Sequence, residues 1–181
     1  NVDSSPVKLS DANLSGANLS GARLNSAYVI GANLTGANLT SAELNNANLL
    51  RANLTGANLT STYLLSANLH SANLTGTNLT SSYLRGVRIS NADLTGVDLK
   101  GLDLEGATLN EGSWKGLNLE GTNLRNANLS YTNFEGANLS NTNLAGADLA
   151  GANLTGANLF EASLSGANLN GATMPDGTKY P

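Results

Sequence analysis

The 181-residue chain has no cysteine, one histidine, one methionine, one tryptophan and three prolines. Without cysteine there is no disulfide frame, no thiol nucleophile and no thiolate-bound metal. The lone histidine, His70, cannot build a familiar zinc site or complete a nucleophile–base–acid set, so no catalytic residue is expected. Aromatic residues make up 4% of the chain and charged residues 12%. No apolar run approaches the roughly 20 residues of a spanning helix. The formal net charge of −4 and a pI of about 4.8 argue against gripping phosphates by counterion release, so direct nucleic-acid binding is not expected. No cofactor-binding or metal residues are expected either. Asp93, Asp98, Asp103 and Glu105 offer oxygen ligands of the kind Ca²⁺ takes, but the three aspartates stand five apart in a five-residue repeat that turns a corner in each unit, which sends them to different sides of the chain.

What the chain has is that five-residue unit. Gly31 to Thr60 reads GANLTGANLTSAELNNANLLRANLTGANLT, the same frame six times. A small residue and a leucine stand two apart, as in Ala32 and Leu34. In extended backbone they point one way and the intervening Asn33 the other. Thr or Ser followed by Gly then makes a corner, because Gly reaches positive φ cheaply and the hydroxyls can bond the local backbone. A helix is excluded, since leucines spaced by five scatter around its axis and each Gly costs about 1 kcal/mol. A hairpin sheet is excluded because strict alternation lasts only three residues.

Departures from the repeat recur at twenty. Glu43, Tyr63 and Tyr83 break the Asn rule at that spacing, and Trp114 and Phe134 replace leucine at that spacing. Arg85, Glu105 and Arg125 alternate in sign, as do Lys100 with Glu120 and Lys115 with Glu135, which suits neighbours stacked about 4.8 Å apart. Four sides of five residues therefore close one coil. The fold class is all-β, a five-residue solenoid of about eight coils of 20 residues. Of 34 leucine-type positions from Leu9 to Met174, 29 are Leu. Residues 1–6 read as an N-terminal tail or cap, 7–174 as one repeat domain, and 175–181 as a turn at Pro175-Asp176-Gly177 with a tail. Between Val87 and Thr122 the small inward slot swells to Val87, Val97, Leu102 and Leu117 while Gly112 shrinks beside Trp114. This reads as a core with its volume redistributed; a ligand beside Trp114 is the other reading.

The A-N/D-L-S/T-G units resemble the pentapeptide-repeat family, in phase over nearly the whole chain. The resemblance implies a right-handed quadrilateral parallel β-helix. Repeat rods offer long, flat, rigid surfaces, so a non-enzymatic scaffold or protein-interaction module is the expectation; the resemblance implies, as the alternative, a DNA-mimic regulator or protector of DNA gyrase or another topoisomerase. The chain lacks the C-terminal dimerisation helix and the interrupting loop of gyrase-acting members. Eleven Asn-Leu-Ser/Thr sequons would invite glycosylation in a eukaryotic secretory route. A bacterial or organellar setting is the expectation, with periplasm, thylakoid lumen and cytoplasm open. The first residue is Asn1 rather than Met, so a processed chain is expected.

The four sides are unequal. Two are monotonous, with Asn outward and Thr stacked as Thr35, Thr55, Thr75, Thr95 and as Thr40, Thr60, Thr80. The adjoining two carry Tyr28, Ile30, Leu50 and His70 on one, and Tyr63, Leu65, Tyr83 and Arg85 on the next. Apolar and aromatic residues in outward slots serve no core, and such anchors are typical of contact surfaces. These eight residues are the expected interaction surface, for another protein or for a second copy in a homodimer.

Overall fold

The computed structural model describes residues 5 to 181, so residues 1–4 of the expected 1–6 tail lie outside the described residues. Each five contributes one short side, and outside the stretch around residues 93–103 each side pairs in parallel with the residue twenty further on. Four ladders result. Face 1 runs Lys8, Tyr28, Asn48, Asn68, Arg88, Thr108, Asn128, Asp148, Asn168; face 2 starts at Asn13, face 3 at Asn18 and face 4 at Arg23. The bonds alternate along each side: Leu14 N–H donates to Asn33 C=O at 2.7 Å, and Asn33 N–H to Ala12 C=O at 2.9 Å. No helix occurs among the described residues. Eight coils at the strand spacing give a rod about 40 Å long.

The corner is a four-residue turn whose third residue needs positive φ. In Leu14–Ala17 the Ala17 N–H closes onto Leu14 C=O at 3.0 Å, and Gly16 has φ of 66°. The same slot holds Arg51, Glu111, Tyr131 and Glu161 at φ of 56 to 60°. Such residues are held left-handed at a cost of order 1 kcal/mol or more, so the inter-coil ladder overrides local preference. The corner hydroxyls behave differently from expectation on the Thr faces. Thr35 Oγ1 donates to Asn33 Oδ1 at 2.7 Å, and that oxygen also accepts the Thr35 N–H at 3.1 Å. It is the Asn, half-buried, that caps the corner, while its own amide donates to Asn13 Oδ1 one coil below at 3.3 Å. At Ser15 and Ser20 the hydroxyls do bond backbone, but not locally: they reach Thr35 C=O and Thr40 C=O in the next coil.

Inside, the leucine-type residues form one buried column from Leu24 to Leu154, with Leu9, Leu14 and Leu19 at one end and Leu159 to Met174 at the other only partly covered. Where the small inward residue is Thr, its hydroxyl is satisfied by a leucine carbonyl of the coil below, as Thr62 to Leu39 at 2.8 Å and Thr122 to Leu99 at 2.8 Å. Trp114 and Phe134 pack edge-on at 5.8 Å between centroids, both fully buried. The indole lies against Gly112, where a Cβ would meet Cδ1 at 2.7 Å and press on Nε1. Beyond Pro175-Asp176-Gly177 the chain turns back: Lys179 pairs antiparallel with Thr173, and Tyr180 N–H donates to Ala172 C=O at 2.8 Å.

Leu74→Asp places an unpartnered carboxylate in a dry column and should cost several kcal/mol, whereas Leu74→Met should cost less than about 1.5 kcal/mol; thermal melts of the two variants compare them. Gly112→Ala should destabilise by about 1 to 3 kcal/mol through overpacking, and adding Trp114→Leu should recover most of that loss in a denaturant titration. Asp93 is held below its ordinary 3.8 by the Thr95 hydroxyl and then the Thr95 N–H. A depressed folded value means that this carboxylate stabilises the fold above about pH 4 and loses that contribution as pH falls through the folded value. Thr95→Val should raise the Asp93 pKa toward 3.8 in a ¹³C NMR titration, with Asp176, capped the same way by Thr178, unmoved.

Candidate functional site

The ladder brings the expected surface residues onto two adjoining faces. Tyr28 lies on face 1 with Ile30, Leu50 and His70 at the corner beyond it; Tyr63 and Tyr83 lie on face 4 with Leu65 and Arg85 at its corner. Tyr63 and Tyr83 are stacked, centroids 4.7 Å apart and planes 1° from parallel. That spacing is the strand spacing, so the backbone holds the pair face to face and leaves little rotamer freedom to lose on binding. Tyr28, Tyr63, Leu65 and Tyr83 are exposed, whereas Ile30, Leu50 and His70 are half-buried in register on successive coils. Arg85 reaches up to Glu105 at 2.6 Å and Asp103 at 3.7 Å. It clamps two coils as well as facing solvent. Arg125 makes no ion pair among the described residues, while Lys100–Glu120 and Lys115–Glu135 close at 3.0 and 2.9 Å. Exposed pairs of this kind contribute about 1 kcal/mol or less.

Two larger exposed rings lie elsewhere. Tyr131, 70% exposed, leaves a corner slot with φ of 57° and lies across Gly151; Phe160, 65% exposed, occupies a Thr slot on face 3. Their signal in the sequence is the same as for Tyr63, a ring in an outward slot, but they stand singly. Asp93, Asp98 and Asp103 fall on faces 2, 3 and 4, and among the described residues no group of three His, Asp or Glu is placed to hold a metal ion.

A feature hidden in sequence emerges in the swollen stretch. Face 1 is paired without interruption, but the pairs 78/98 and 98/118 on face 3, 83/103 on face 4 and 93/113 on face 2 are missing. Residues 93–95 bond only the coil below, through Leu74 N–H to Asp93 C=O and Gly76 N–H to Thr95 C=O. Residues 101–104 make ladder bonds only to the coil above, through Gly101 N–H to Glu120 C=O and Leu104 N–H to Asn123 C=O, and the ladder below resumes where Gly86 N–H donates to Glu105 C=O at 2.9 Å. The side between them crosses from one coil to the other with ladder bonds to neither. The gap therefore starts above the chain on face 2 and ends below it on face 4. It holds clefts of about 560, 510 and 370 Å³.

The oversized slots explain where it opens. Val87 stacks between Ala67 and Ala107 and leaves face 1 intact; Val97 stacks under Leu117, bulk on bulk, and both face 3 pairs open. Leu102 sits above Ser82 where 83/103 is lost, and Trp114 above Leu94 where 93/113 is lost. Trp114 is wholly core, and the redistributed volume does not balance without parting the coils.

The family model for pentapeptide repeats matches in eight copies over residues 7–40, 31–64, 62–101, 103–141 and 137–174. Among solved structures the chain is similar to HetL, a pentapeptide repeat protein involved in heterocyst differentiation regulation from the cyanobacterium Nostoc sp. strain PCC 7120. The two are 37% identical over 96% of this chain and 83% of that one, with a TM-score of 0.62. A trypsin-treated variant of QnrB1, a plasmid-mediated fluoroquinolone resistance protein, is 19% identical over 87% and 76%, with a TM-score of 0.49. A pentapeptide repeat protein from the Arabidopsis thaliana thylakoid lumen is 27% identical over 66% of each chain, with a TM-score of 0.30. The last two scores are too low to add to the fold. A search of curated proteins finds no match. With the family model spanning nearly all of a four-faced, twenty-residue ladder, this chain belongs to the pentapeptide-repeat family and is a right-handed quadrilateral β-helix.

Proposed function

We propose that the chain is a non-enzymatic interaction rod that docks a protein partner along the edge where faces 1 and 4 meet. The observation that carries this is the stacked, exposed Tyr63–Tyr83 pair, flanked by Leu65 at the corner shared with face 1, with Ile30, Leu50 and His70 along the far corner of face 1. Rigid aromatic rings beside aliphatic side chains and an arginine are the composition of interface anchors. The rod itself supplies flat, fixed faces. His70, the chain's single histidine, lines none of the three clefts, so chemistry is not part of this reading. The eleven sequons favour a bacterial or organellar setting.

The topoisomerase reading ranks second and gains nothing from the charges. A phosphate-like array requires rows of one sign, whereas Arg23 with Glu43, Arg85 with Glu105, Lys100 with Glu120 and Lys115 with Glu135 alternate in sign between coils. The triple variant Tyr63→Asn, Leu65→Thr, Tyr83→Asn restores the repeat consensus. It should melt within a few degrees of the parent, yet lose at least about tenfold in affinity for partners recovered by the parent, as removal of one anchor of about 1.4 kcal/mol already implies. Unchanged capture by the triple variant, with loss on Thr35→Ala and Thr55→Ala, would place the docking surface on the Thr faces instead.

A further inference from the structure

We propose that the spiral gap around residues 94–102 receives an extended, basic polypeptide segment, which pairs with the open ladder as an added β-strand. This site lies on faces 2, 3 and 4 of the middle coils and does not rest on the aromatic edge.

Backbone chemistry identifies the occupant. Leu79 and Ser81 N–H, which elsewhere in the rod would donate to the carbonyls of residues 98 and 100, have no partner among the described residues, and neither does Asp98 N–H, which would donate to Thr77 C=O. On the upper side of the crossing chain, Leu94, Gly96 and Leu99 N–H are likewise without partners there, as is Asn118 N–H. Thr77, Leu79, Leu94 and Leu99 are buried residues, and unpaired main-chain groups at such positions are costly and demand partners. The open donors lie on two separate edges: Leu79, Ser81 and Asp98 line the cleft below the crossing chain, and Leu94, Gly96 and Asn118 line the cleft above it. An extended chain laid along one such edge satisfies its donors, which is how exposed sheet edges bind peptides. The larger clefts, about 560 and 510 Å³, fall within the roughly 300 to 1,000 Å³ typical of binding sites. Their floor is partly apolar, with Leu102 and the half-buried Leu117 giving purchase to alternate side chains.

Charge sets the sign of the occupant. Lys100 and Lys115 in the walls are neutralised by Glu120 and Glu135, and Asp103 faces Arg85. Asp93, Asp98 and Glu111 line the gap and have no ion pair among the described residues. Asp93 is also held ionised by its Thr95 cap. Three uncompensated carboxylates favour a segment carrying Lys or Arg over an acidic one. Because face 1 stays paired through Arg88 and Thr108, the coils can part around the gap while remaining joined along one spine.

The test uses the whole chain and a synthetic peptide of about ten residues, a full strand length, alternating Lys and Thr. In the free chain, amide hydrogen exchange at Leu79, Ser81, Leu94 and Gly96 should be far faster than at Leu34 and Leu39, and saturating peptide should slow it. Replacing the peptide's Lys by Glu, or Asp93→Asn with Asp98→Asn in the protein, should weaken binding by about tenfold or more; Asn is the repeat's own residue in that slot, so this pair should fold. N-methylation of alternate peptide amides should abolish binding. Val97→Ala, Leu102→Ala and Leu117→Ala return the repeat's small residue, and in the folded variant should close the ladder and remove the site. Amides at Leu79 and Leu94 already as protected as Leu34 in the free chain would overturn the proposal. So would binding that tolerates N-methylation, binding of the Glu peptide with equal strength, or protection that depends on protein concentration alone, which would indicate a second copy.

Discussion

Everything in this rod depends on the distance between coils. Parallel pairing of each residue with the one twenty ahead fixes the axial repeat near the strand spacing, about 4.8 Å. Each inward slot must then fit a slab of that thickness. One leucine and one small residue per side fill it, which is why Ala27 to Ala57 and Leu24 to Leu59 are almost wholly excluded from solvent. The same constraint holds Arg51 and Tyr131 in left-handed corners and presses Tyr63 onto Tyr83 at 4.7 Å.

Overfilling that slab opens the rod. A single Val87 among alanines is absorbed, because its axial neighbours are small. Val97 beneath Leu117, with Trp114 above Leu94, exceeds what neighbouring slots can yield, even with Gly112 reduced to make room for the indole. Interiors pack to a fixed density, so excess volume moves backbone. Ladder bonds are what give way, and they give way on three faces while the fourth, lined by Ala67, Val87 and Ala107, stays shut. A local change of core volume becomes a groove at the surface without any inserted loop.

The two candidate surfaces have opposite origins. The aromatic edge is built of side chains added to a perfect ladder, rigid because the backbone beneath it is complete. The gap is built of backbone exposed by an imperfect one, and its chemistry is that of unsatisfied amides. Both sit on one scaffold in which outward slots are free to vary and inward slots are not.

The five-residue unit by itself determined the four faces, the twenty-residue register, the leucine column and the faces on which Tyr63, Leu65, Tyr83 and Arg85 meet. A strictly local turn repeated in phase leaves only one way to stack. The swelling at Val97, Leu102 and Leu117 was legible too, but not its result. Whether extra volume is absorbed or parts the coils depends on which slots lie above and below and on the hydrogen bonds those neighbours can still make. The caps formed by Asn33 and its equivalents, the engagement of Arg85 with Asp103 as well as Glu105, and the passage of residues 96–100 from one coil to the next were therefore decided only by the tertiary structure, where side-chain volume competes directly with ladder geometry.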